Sequence, residues 1–597
     1  MGLPADLELH IVRSIDDVLA MKTWLGERRD IMGLDIETSG LDAFKPGARI
    51  RSIQVGDQRH GWFVPYELWG GAALEILNTW EGDIALHNAS FDLKFLQYHA
   101  DWDVPWNRIH DTMIMAQILY PGKPAGLKEL STKYVDPRAN IGEKYLKQAF
   151  KDNGWGWNTV PIYEPAFCNY SALDPIITAY LWDHLRADKH FPTVFSMEMQ
   201  VRRICADMEY RGMRLDVDYT IRMEQELNEQ VDKMKKWAQD NWGINVSSNA
   251  QLASFLHDEL GAEFTHFSDK TGAPSVNKAQ LAEFLESGDE TLKTVVGFVE
   301  DVKYKAKLAS TYFKNYREMA VDGIIHPSIN TLGTATGRMS SSNPNMQNLP
   351  SKDYYVRDAF IPLEDDHEIW SIDYSSMELR QMANYSKDEG LKHAFELVDN
   401  EGQDFFVTLG KSIYNEPNFQ KSDPRRKLLK SMTYGLIYGA SASKMAQTAG
   451  TEESVMQETK DKFFEQYPKV PELMESIIEL GDQREATEGE GYITFPTSGR
   501  RVPTEKGTSY RLVNYLLQGT SAEVTKNALI NLDQAGLTEY ALLPIHDEVV
   551  FSFPKDGAEE LVQTAVEAMS FGPEDGFDIP QVAEAELAGA RWGEKYH

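Results

Sequence analysis

The amino-acid sequence of 597 residues contains only two cysteines, Cys168 and Cys205. Two cysteines are too few for a disulfide framework or a thiolate zinc site, which excludes the small disulfide-stabilised classes of secreted protein. Long hydrophobic runs are missing as well, because no apolar stretch approaches the roughly 20 residues that span a bilayer. The first thirty residues also lack the apolar core of a secretory signal. These absences predict a protein of a reducing cytoplasm with no membrane partner.

Basic residues are the minority charge, with 60 Lys and Arg against 92 Asp and Glu and a net charge of −32. This average argues against a nucleic-acid partner, because duplex binding depends on neutralising phosphates. The basic residues are concentrated, however. Residues 421–450 hold six basic residues and one acidic residue, and residues 301–340 and 491–530 each hold three more basic than acidic residues. Because a partner responds to local charge, these three segments remain compatible with nucleic acid.

The length predicts about four domains or subdomains at roughly 150 residues each. The sequence shows no fixed-period repeat, which argues against a solenoid. Residues 1–185 have an α/β pattern, in which Phe91–His99 is helix-like. Strand-like runs in this part are Ile31–Thr38, Arg49–Val55 and Gly61–Val64. The following part is helical and charged, with long amphipathic stretches at Val201–Tyr210, Ile221–Trp242 and Thr291–Met319. Beyond residue 325 the sequence mixes strands, turns and helices.

Four acidic residues and a tyrosine form the first group of candidate site residues. Asp35 and Glu37 end an apolar strand and share one face of it, because side chains alternate along a strand. Asp92 follows later, and Tyr170 and Asp174 lie one helical turn apart on a predicted helix. A single Asp-x-Glu at a strand end is usually solvated or caps a helix. Carboxylates from several segments instead favour hard cations such as Mg²⁺ or Mn²⁺.

A second acidic pair is predicted in the C-terminal half. Asp373 lies at the end of a short strand that turns into a helix, and Asp547 lies in an acidic turn between two apolar strands, followed by Glu548. If these strands are neighbours, Asp373 and Asp547 meet and can hold two divalent cations.

Between the two acids, a predicted helix carries a stripe of two cations and two aromatics. Arg426, Lys430, Tyr434 and Tyr438 are spaced four apart and therefore share one helix face. The cations suit a triphosphate, and the tyrosine rings offer a surface on which a base can stack. An exposed basic helix with a buried aromatic face would show the same pattern, so the helix by itself leaves both interpretations open.

Taken in order, these motifs resemble those of family A DNA polymerases. Asp373–Arg380 is similar to the first palm motif of that family, Arg426–Gly439 to its fingers helix and His546–Glu548 to its second palm motif. Further similar motifs are Thr336–Arg338, Gln347–Pro350, Gly491–Tyr492, Gly499–Arg501, Asn514 and Gln518–Thr520. The N-terminal region resembles the proofreading 3′–5′ exonuclease domain of the DEDD superfamily, tyrosine subtype.

The resemblance implies an α/β and α+β multidomain fold, with a ribonuclease-H-like exonuclease domain followed by a right-hand polymerase. The implied domains are the exonuclease (1–189), the thumb (190–325), the first part of the palm (326–400), the fingers (401–515) and the second part of the palm (516–597).

For the exonuclease domain, the resemblance implies that Asp35, Glu37, Asp92 and Asp174 hold two Mg²⁺ or Mn²⁺ ions. Tyr170 would orient the attacking water. The domain is therefore expected to be an active exonuclease.

For the polymerase, the resemblance implies two further Mg²⁺ or Mn²⁺ ions on Asp373 and Asp547, beside Glu548 as a catalytic residue. The implied nucleotide-binding residues are Arg426, Lys430, Tyr434, Glu378, Tyr374 and Tyr438. Among them, Lys430 is a candidate proton donor to pyrophosphate, and Glu378 would exclude a ribose 2′-hydroxyl. The implied DNA-binding residues are Arg338, Gln518, His546 and Asn514.

Three positions depart from the common pattern of the family. Tyr434 stands where many bacterial members have phenylalanine, and in the family tyrosine there accompanies weak discrimination against dideoxynucleotides. Phe406 stands where a triphosphate-binding histidine is common. Tyr510 stands where an arginine is common, with Arg511 beside it.

The implied partners are primer–template DNA and deoxynucleoside triphosphates, with a replisome helicase or single-strand binding protein as further candidates for a monomeric enzyme. The sequence begins almost directly with the exonuclease region and has no long thumb insertion like a thioredoxin-binding loop. Together with Tyr434, this favours a phage replicative polymerase in the host cytoplasm over a bacterial repair polymerase.

Two other functions stay open: a DNA-binding exonuclease with a degenerate polymerase half, and a single-subunit RNA polymerase. The intact residues Asp373, Asp547, Arg426 and Lys430 argue against the first. Glu378 and the linked exonuclease argue against the second.

Overall fold

The computed structural model describes residues 3, 6–27, 31–188, 194–286, 288–350 and 354–596. The predicted boundary between residues 189 and 190 lies outside the described residues. Within the described ranges, no helix combines the length and apolar character that a bilayer crossing requires. Cys168 and Cys205 are both buried and free.

The N-terminal region is built on a six-stranded mixed sheet with the strand order β1-β4-β3-β2-β5-β6. The strands are β1 (Glu8–Ile11), β2 (Ile31–Thr38), β3 (Ile50–Gly56), β4 (His60–Pro65), β5 (Asp83–Leu86) and β6 (Ile109–Asp111). The helices are α1 (Ile15–Gly26), α2 (Tyr66–Thr79), α3 (Ala89–Ala100), α4 (Thr112–Leu119), α5 (Leu127–Tyr134), α6 (Ile141–Asn153) and α7 (Pro165–Arg186). The predicted strands and the predicted helix at residues 91–99 are confirmed.

Helix α7 lies directly on this sheet because two strand residues have no side chain. A Cβ atom at Gly33 of β2 would overlap the carbonyl oxygen of Pro175, and one at Gly61 of β4 would overlap that of Ala172. This close approach places the N-terminal half of α7 beside the end of β2.

The next region is mainly helical. Its elements are α8 (Val194–Arg211), β7 (Met213–Leu215), α9 (Val217–Trp242), α10 (Asn249–Asp258), α11 (Lys278–Glu286), α12 (Glu290–Lys307), a π-helical segment (Leu308–Lys314), α13 (Asn315–Met319) and β8 (Ile324–Ile325). Apolar faces of α9 to α12 share a separate core that includes Val231, Leu252, Phe284 and Val296. The three predicted amphipathic stretches are helical, and the third contains the π-helical segment.

A four-stranded antiparallel sheet with the order β15-β16-β12-β17 forms the centre of the C-terminal half. The strands of this half are β9 (Ser328–Asn330), β10 (Ser340–Ser342), β11 (Phe360–Ile361), β12 (His367–Tyr374), β13 (Tyr492–Thr494), β14 (Arg501–Pro503), β15 (Ala541–Ile545), β16 (Glu548–Pro554) and β17 (Ala583–Gly589). The strand that carries Asp373, β12, therefore pairs with β16, the strand that follows Asp547, as the meeting of the two acids requires.

Most helices of this half form a second layer with its own core. They are α14 (Met377–Ser386), α15 (Glu389–Glu401), α16 (Phe405–Ile413), α17 (Arg425–Ile437), α18 (Ala442–Ala449), α19 (Glu453–Gln466), α20 (Lys469–Glu488) and the N-terminal part of α21 (Arg511–Gln534). Helix α22 (Ala558–Met569) packs in the core of the four-stranded sheet instead. Leu429, Met432 and Leu436 of α17 are buried in this core, which turns the opposite face of α17 outward. The helix ends at Ile437, one residue before Tyr438, because Tyr438 leaves the helical conformation and Gly439 has a φ of +65°.

Candidate active sites

The first candidate site is a group of carboxylates between β2 and α7. Ligand oxygens of Asp35, Glu37 and Asp174 all lie within 4.8 Å of one another. Asp35 and Glu37 point to the same side because they are two residues apart on β2. Asp174 reaches them because α7 packs closely on the sheet.

Asp92 lies next to this group but is held differently. Its Oδ1 atom accepts a hydrogen bond of 3.0 Å from the backbone N–H of Ile36, which lies between the two acids of β2. Helix α3, which carries Asp92, is anchored where it begins, because the carboxylate of Asp111 accepts hydrogen bonds from the N–H groups of Asn88 and Ala89. The structure thus brings all four predicted acids together, with three of them in one compact group.

Tyr170 and a lysine complete the first site. Burial, followed by the nearby charge of Asp174, raises the pKa of the Tyr170 hydroxyl well above its usual value, so the ring lies close to that carboxylate. The ammonium group of Lys128, on α5, forms an ion pair with Asp174 and lies 4.5 Å from the centre of the Tyr170 ring. Ser171 donates a hydrogen bond of 3.1 Å to Glu37. Sequence reasoning missed Lys128 and Ser171, because neither belongs to the acidic pattern.

Burial and mutual repulsion make these carboxylates hard to ionise. Desolvation, followed by the charges of Asp174 and Asp92, raises the pKa of Asp35 well above its usual value. Desolvation and the charge of Asp174 raise the pKa of Glu37 to about 8. A cation among these oxygens would relieve that repulsion, and a purely carboxylate donor set suits hard ions such as Mg²⁺ and Mn²⁺.

The second candidate site lies at one end of the four-stranded sheet. Asp373 precedes the last residue of β12, and Asp547 occupies the turn between β15 and β16. Because β12 pairs with β16 so that Asp373 is opposite Glu548, the three acids are close. The Asp373 residue is solvent-exposed, but partial desolvation of its carboxylate and the nearby charges of Asp547 and Glu548 raise its pKa to about 7.

The carboxylate of Glu548 is already held by other groups. It accepts hydrogen bonds from the Ser371 hydroxyl and from the buried ammonium group of Lys595, the latter at 3.0 Å. Lys595 also donates to Ser371 at 2.6 Å. Sequence reasoning missed Ser371 and Lys595, since no sequence pattern connects them with Glu548.

The cations of α17 have different surroundings. Arg426 forms a two-pronged ion pair with Asp404, at 3.0 Å and 2.6 Å, and its guanidinium lies 5.6 Å from the centre of the Phe406 ring. Lys430 is exposed and has no ion-pair partner among the residues that the structure describes. The Phe406 ring also lies 6.2 Å from that of Tyr434, so it packs between the cationic and the aromatic part of the stripe.

Four predicted nucleotide-binding or DNA-binding residues converge beside Asp547. Arg338 forms an ion pair with the buried carboxylate of Glu378. Burial, followed by the nearby charge of Glu378, raises the pKa of both the Tyr434 and the Tyr438 hydroxyl, so both tyrosines lie close to that carboxylate. Tyr438 is half exposed.

Tyr374 is placed differently from its neighbours. Its side chain is buried in the core, where the hydroxyl donates a hydrogen bond to the carbonyl oxygen of Met569. Since side chains alternate along β12, Tyr374 and Asp373 point to opposite sides. The predicted nucleotide contact therefore cannot come from the Tyr374 ring in this conformation, and only its backbone borders the site.

The remaining predicted DNA-binding residues lie around the same end of the sheet. Arg338, His546 and Asp547 line one small cavity. His546 is exposed in the turn before β16, with a φ of +55°. Asn514 and Gln518 lie one turn apart on α21, and the buried Nδ2 atom of Asn514 has no hydrogen-bond partner in the described part of the chain.

Comparisons with known proteins agree with this arrangement. The family model of DNA polymerase family A matches residues 217–594, and the model of a 3′–5′ exonuclease matches residues 11–188. The DNA polymerase of Mycobacterium phage D29 is 28% identical over 98% of this chain and 97% of the phage protein. The thermostable DNA polymerase I of Thermus aquaticus is 30% identical over 67% of this chain and 48% of its own length.

A solved structure supports the fold independently. The POL domain of Pol1 from M. smegmatis, in complex with DNA primer-template and dNTP, is similar with a TM-score of 0.77 at 24% identity, over 96% of this chain and 98% of that chain. This similarity confirms the fold class predicted from the sequence. Because one family model covers more than half of its length, the chain belongs to DNA polymerase family A and carries a 3′–5′ exonuclease domain.

Proposed function

We propose that this polymerase extends the 3′ end of a DNA primer along a template with deoxynucleoside triphosphates, and that its exonuclease domain removes mispaired nucleotides from the same end. The observation that best supports the proposal is the presence of two separate carboxylate sites in one chain. One combines Asp35, Glu37 and Asp174, and the other combines Asp373 and Asp547. The complex of the M. smegmatis relative with DNA primer-template and dNTP points to the same substrates.

Both sites have donor sets that fit divalent cations. Asp35, Glu37, Asp92 and Asp174 would hold two Mg²⁺ or Mn²⁺ ions, and Asp373 and Asp547 would hold two more. When bound, such ions supply the positive charge that favours attack by an oxygen nucleophile and stabilises the leaving oxygen.

In the polymerase site, the residues of α17 would bind the incoming nucleotide. Lys430 is exposed and can reach phosphate oxygens or donate a proton to the departing pyrophosphate. Arg426 is held in place by Asp404, so it would neutralise phosphate either from that position or after exchanging partners. Tyr434 would pack against the sugar and base, and Tyr438 would lie near the templating base.

Selection of the sugar and the base pair would depend on residues around Glu378. The Arg338 ion pair fixes the Glu378 carboxylate beside Tyr434, where it would take the space of a ribose 2′-hydroxyl. DNA contacts would come from Arg338, Gln518, Asn514 and His546. Glu548 is held by Lys595 and Ser371, so it would act mainly by shaping the field around Asp373.

In the exonuclease site, Tyr170 would orient the water that attacks the terminal phosphodiester. Its ring already lies close to the carboxylate of Asp174, which would keep the ring in position. Proofreading would then be a transfer of the primer end from one carboxylate site to the other.

A replicative role in a phage is the biological setting that the full-length similarity supports. Two mycobacteriophage DNA polymerases match along nearly the whole chain, and the L5 protein is 29% identical over 92% of this chain. Helicase and single-strand binding partners stay predictions.

Primer extension separates the two sites. We expect Asp547→Ala to abolish extension with deoxynucleotides and Mg²⁺ while digestion of a mispaired 3′ end continues, because only one carboxylate site is altered. We expect Asp35→Ala to have the opposite effect. The control Asp461→Ala changes an exposed acid on α19 and should keep both activities.

Three results would contradict the proposal. Loss of both activities in either single variant would argue against two separate sites. Digestion without any extension by the unaltered protein would point to a degenerate polymerase half. Equal use of ribonucleotides and deoxynucleotides would point to an RNA polymerase, in which case Glu378 does not exclude the 2′-hydroxyl.

A further inference from the structure

A group of side chains with metal-binding geometry lies away from both carboxylate sites, on the edge of the N-terminal sheet. Glu8 and His10 are two residues apart on the edge strand β1 and share one face. His60 begins β4, which pairs in parallel with β1 so that His60 is opposite Glu8. Strand β4 is separated from β2, and therefore from Asp35, by β3.

Three potential ligand atoms form a nearly regular triangle. His10 Nε2 lies 3.3 Å from His60 Nδ1 and 3.8 Å from Glu8 Oε2, and His60 Nδ1 lies 3.7 Å from the same Glu8 oxygen. In a tetrahedral zinc site with ligands about 2.0–2.2 Å from the ion, neighbouring ligand atoms are roughly 3.3–3.6 Å apart. The three atoms therefore span one face of such a tetrahedron with very small adjustment.

The donor types select among cations. Two imidazole nitrogens and one carboxylate oxygen form a donor set of three-ligand zinc sites, in which a fourth position stays open for water. Mg²⁺ prefers oxygen donors throughout, so these residues suit Zn²⁺ better than the ions of the carboxylate sites. Both cysteines are buried elsewhere, so no thiolate in the chain is accessible as a competing zinc ligand.

Aromatic packing holds the imidazole rings in this arrangement. The His10 ring stacks on Trp62, with centres 4.1 Å apart and planes 18° apart. Trp24 of α1 lies 5.9 Å from the His60 ring. Rings that are already held in place reduce the cost of ordering ligands when an ion binds.

We propose that Glu8, His10 and His60 form a Zn²⁺ site that joins the edge strand β1 to β4. Because His10 and Glu8 come from one strand and His60 from the other, a bound ion would cross-link the two strands. Such a link would stabilise the N-terminal edge of the exonuclease sheet without contributing to its chemistry. It would also cover part of an otherwise open sheet edge.

Zinc titration of the metal-free protein tests this site directly. The background variant Asp35→Asn/Glu37→Gln removes two carboxylates of the first candidate site, which could also bind the ion, and Zn²⁺ alone is added in competition with a chromophoric chelator. We expect one tight site, and we expect His10→Gln or His60→Gln to weaken it by at least about 100-fold, because each change removes a ligand. The control His393→Gln changes a histidine that also lies near a glutamate, Glu396 at 3.5 Å, but outside the group.

Two further readouts keep the test decisive. Co²⁺ in place of Zn²⁺ should give the visible absorption of a tetrahedral site, and this band should be absent in His60→Gln. Zn²⁺ should raise the melting temperature of the background protein and of His393→Gln but not of His10→Gln. If a histidine variant fails to fold, Glu8→Gln at an exposed position provides the same comparison.

Tight zinc binding that persists in His10→Gln, His60→Gln and Glu8→Gln would overturn the proposal. So would the absence of a tight site in the background protein. In that case, the two imidazoles share an N–H···N hydrogen bond and the group is only a polar contact between two strands.

Discussion

At the residue scale, the hydroxyl of Tyr434 is the feature that most directly affects substrate choice. It lies near the Glu378 carboxylate, so it places a polar group where the nucleotide sugar would bind. A dideoxynucleotide lacks the 3′-hydroxyl. With phenylalanine at this position, the place where the sugar binds would then hold neither the substrate's hydroxyl nor that of a tyrosine.

We therefore expect the unaltered enzyme to use dideoxynucleotides and deoxynucleotides with similar efficiency. We expect Tyr434→Phe to lower the relative use of dideoxynucleotides by up to about tenfold, the upper range for the loss of one hydrogen bond. Single-nucleotide incorporation with both substrates measures this ratio, and Tyr438→Phe is the matched control. An unchanged ratio in Tyr434→Phe would show that the hydroxyl has no part in the discrimination.

Predictions for single residues succeeded where the repeat of a strand or a helix decides which side chains share a face. Alternation along β2 placed Asp35 and Glu37 on one face, and four-residue spacing placed Arg426, Lys430 and Tyr434 on one face of α17. The same alternation, applied to β12, would have turned the Tyr374 side chain away from Asp373, as the structure has it.

Contacts made by packing could not be predicted in this way. Lys128 reaches Asp174 only because α5 packs beside α7, and Lys595 reaches Glu548 across 47 residues of sequence. Neither contact follows from a repeating pattern in the sequence. Such residues become visible only when the helices and strands are assembled.

At the scale of elements, a buried ion network joins three distant segments. Glu198 of α8 accepts hydrogen bonds from Lys526 of α21, at 2.6 Å, and from Arg500, just before β14. Arg500 also donates to Glu523 of α21 at 3.1 Å. All four side chains are almost fully buried, so α8, which follows the exonuclease domain, is tied to α21 beside the polymerase site.

We expect Lys526→Met to destabilise the fold by about 3–5 kcal/mol, because it leaves a buried network of two carboxylates with Arg500 as the one remaining cation. Adding Glu198→Gln should recover part of this loss by restoring charge balance. Thermal unfolding followed by tryptophan fluorescence measures both effects. Lys462→Met, which breaks the exposed ion pair with Glu458, is the control and should leave the free energy of unfolding nearly unchanged, because solvent screens this pair. Equal effects of the buried and exposed substitutions would contradict this account.

At the scale of the whole molecule, the basic residues of segment 421–450 are less available for binding phosphate than the charge of the segment suggests. In the segment 421–450, Arg425 is paired with Glu416 and Asp423, and Arg426 is paired with Asp404. Lys430 is the exposed cation that remains on the functional face of α17. Phosphate binding at this face of α17 would therefore depend strongly on Lys430, and we expect it to be weakened by salt.

The acids whose pKa values are raised also make the stability of the whole molecule depend on pH and divalent cations together. In the metal-free protein the pKa of Glu37 is about 8 and that of Asp373 about 7, whereas both are near 4 in an unfolded chain. Between these limits the folded protein binds more protons than the unfolded one, so raising the pH from about 5 to 8 lowers the free energy of unfolding. Divalent cations bind the ionised carboxylates and should offset this loss increasingly as pH rises.

We therefore expect the melting temperature in EDTA to fall across this range, and the gap between Mg²⁺ and EDTA to widen with pH. Scanning fluorimetry at several pH values in both conditions measures the gap. The variant Glu37→Gln/Asp373→Asn removes the two groups and should flatten the EDTA curve. A gap that stays constant from pH 5 to pH 8 would mean that these carboxylates are already ionised without cations, and that their repulsion is relieved within the protein by partners such as Lys128.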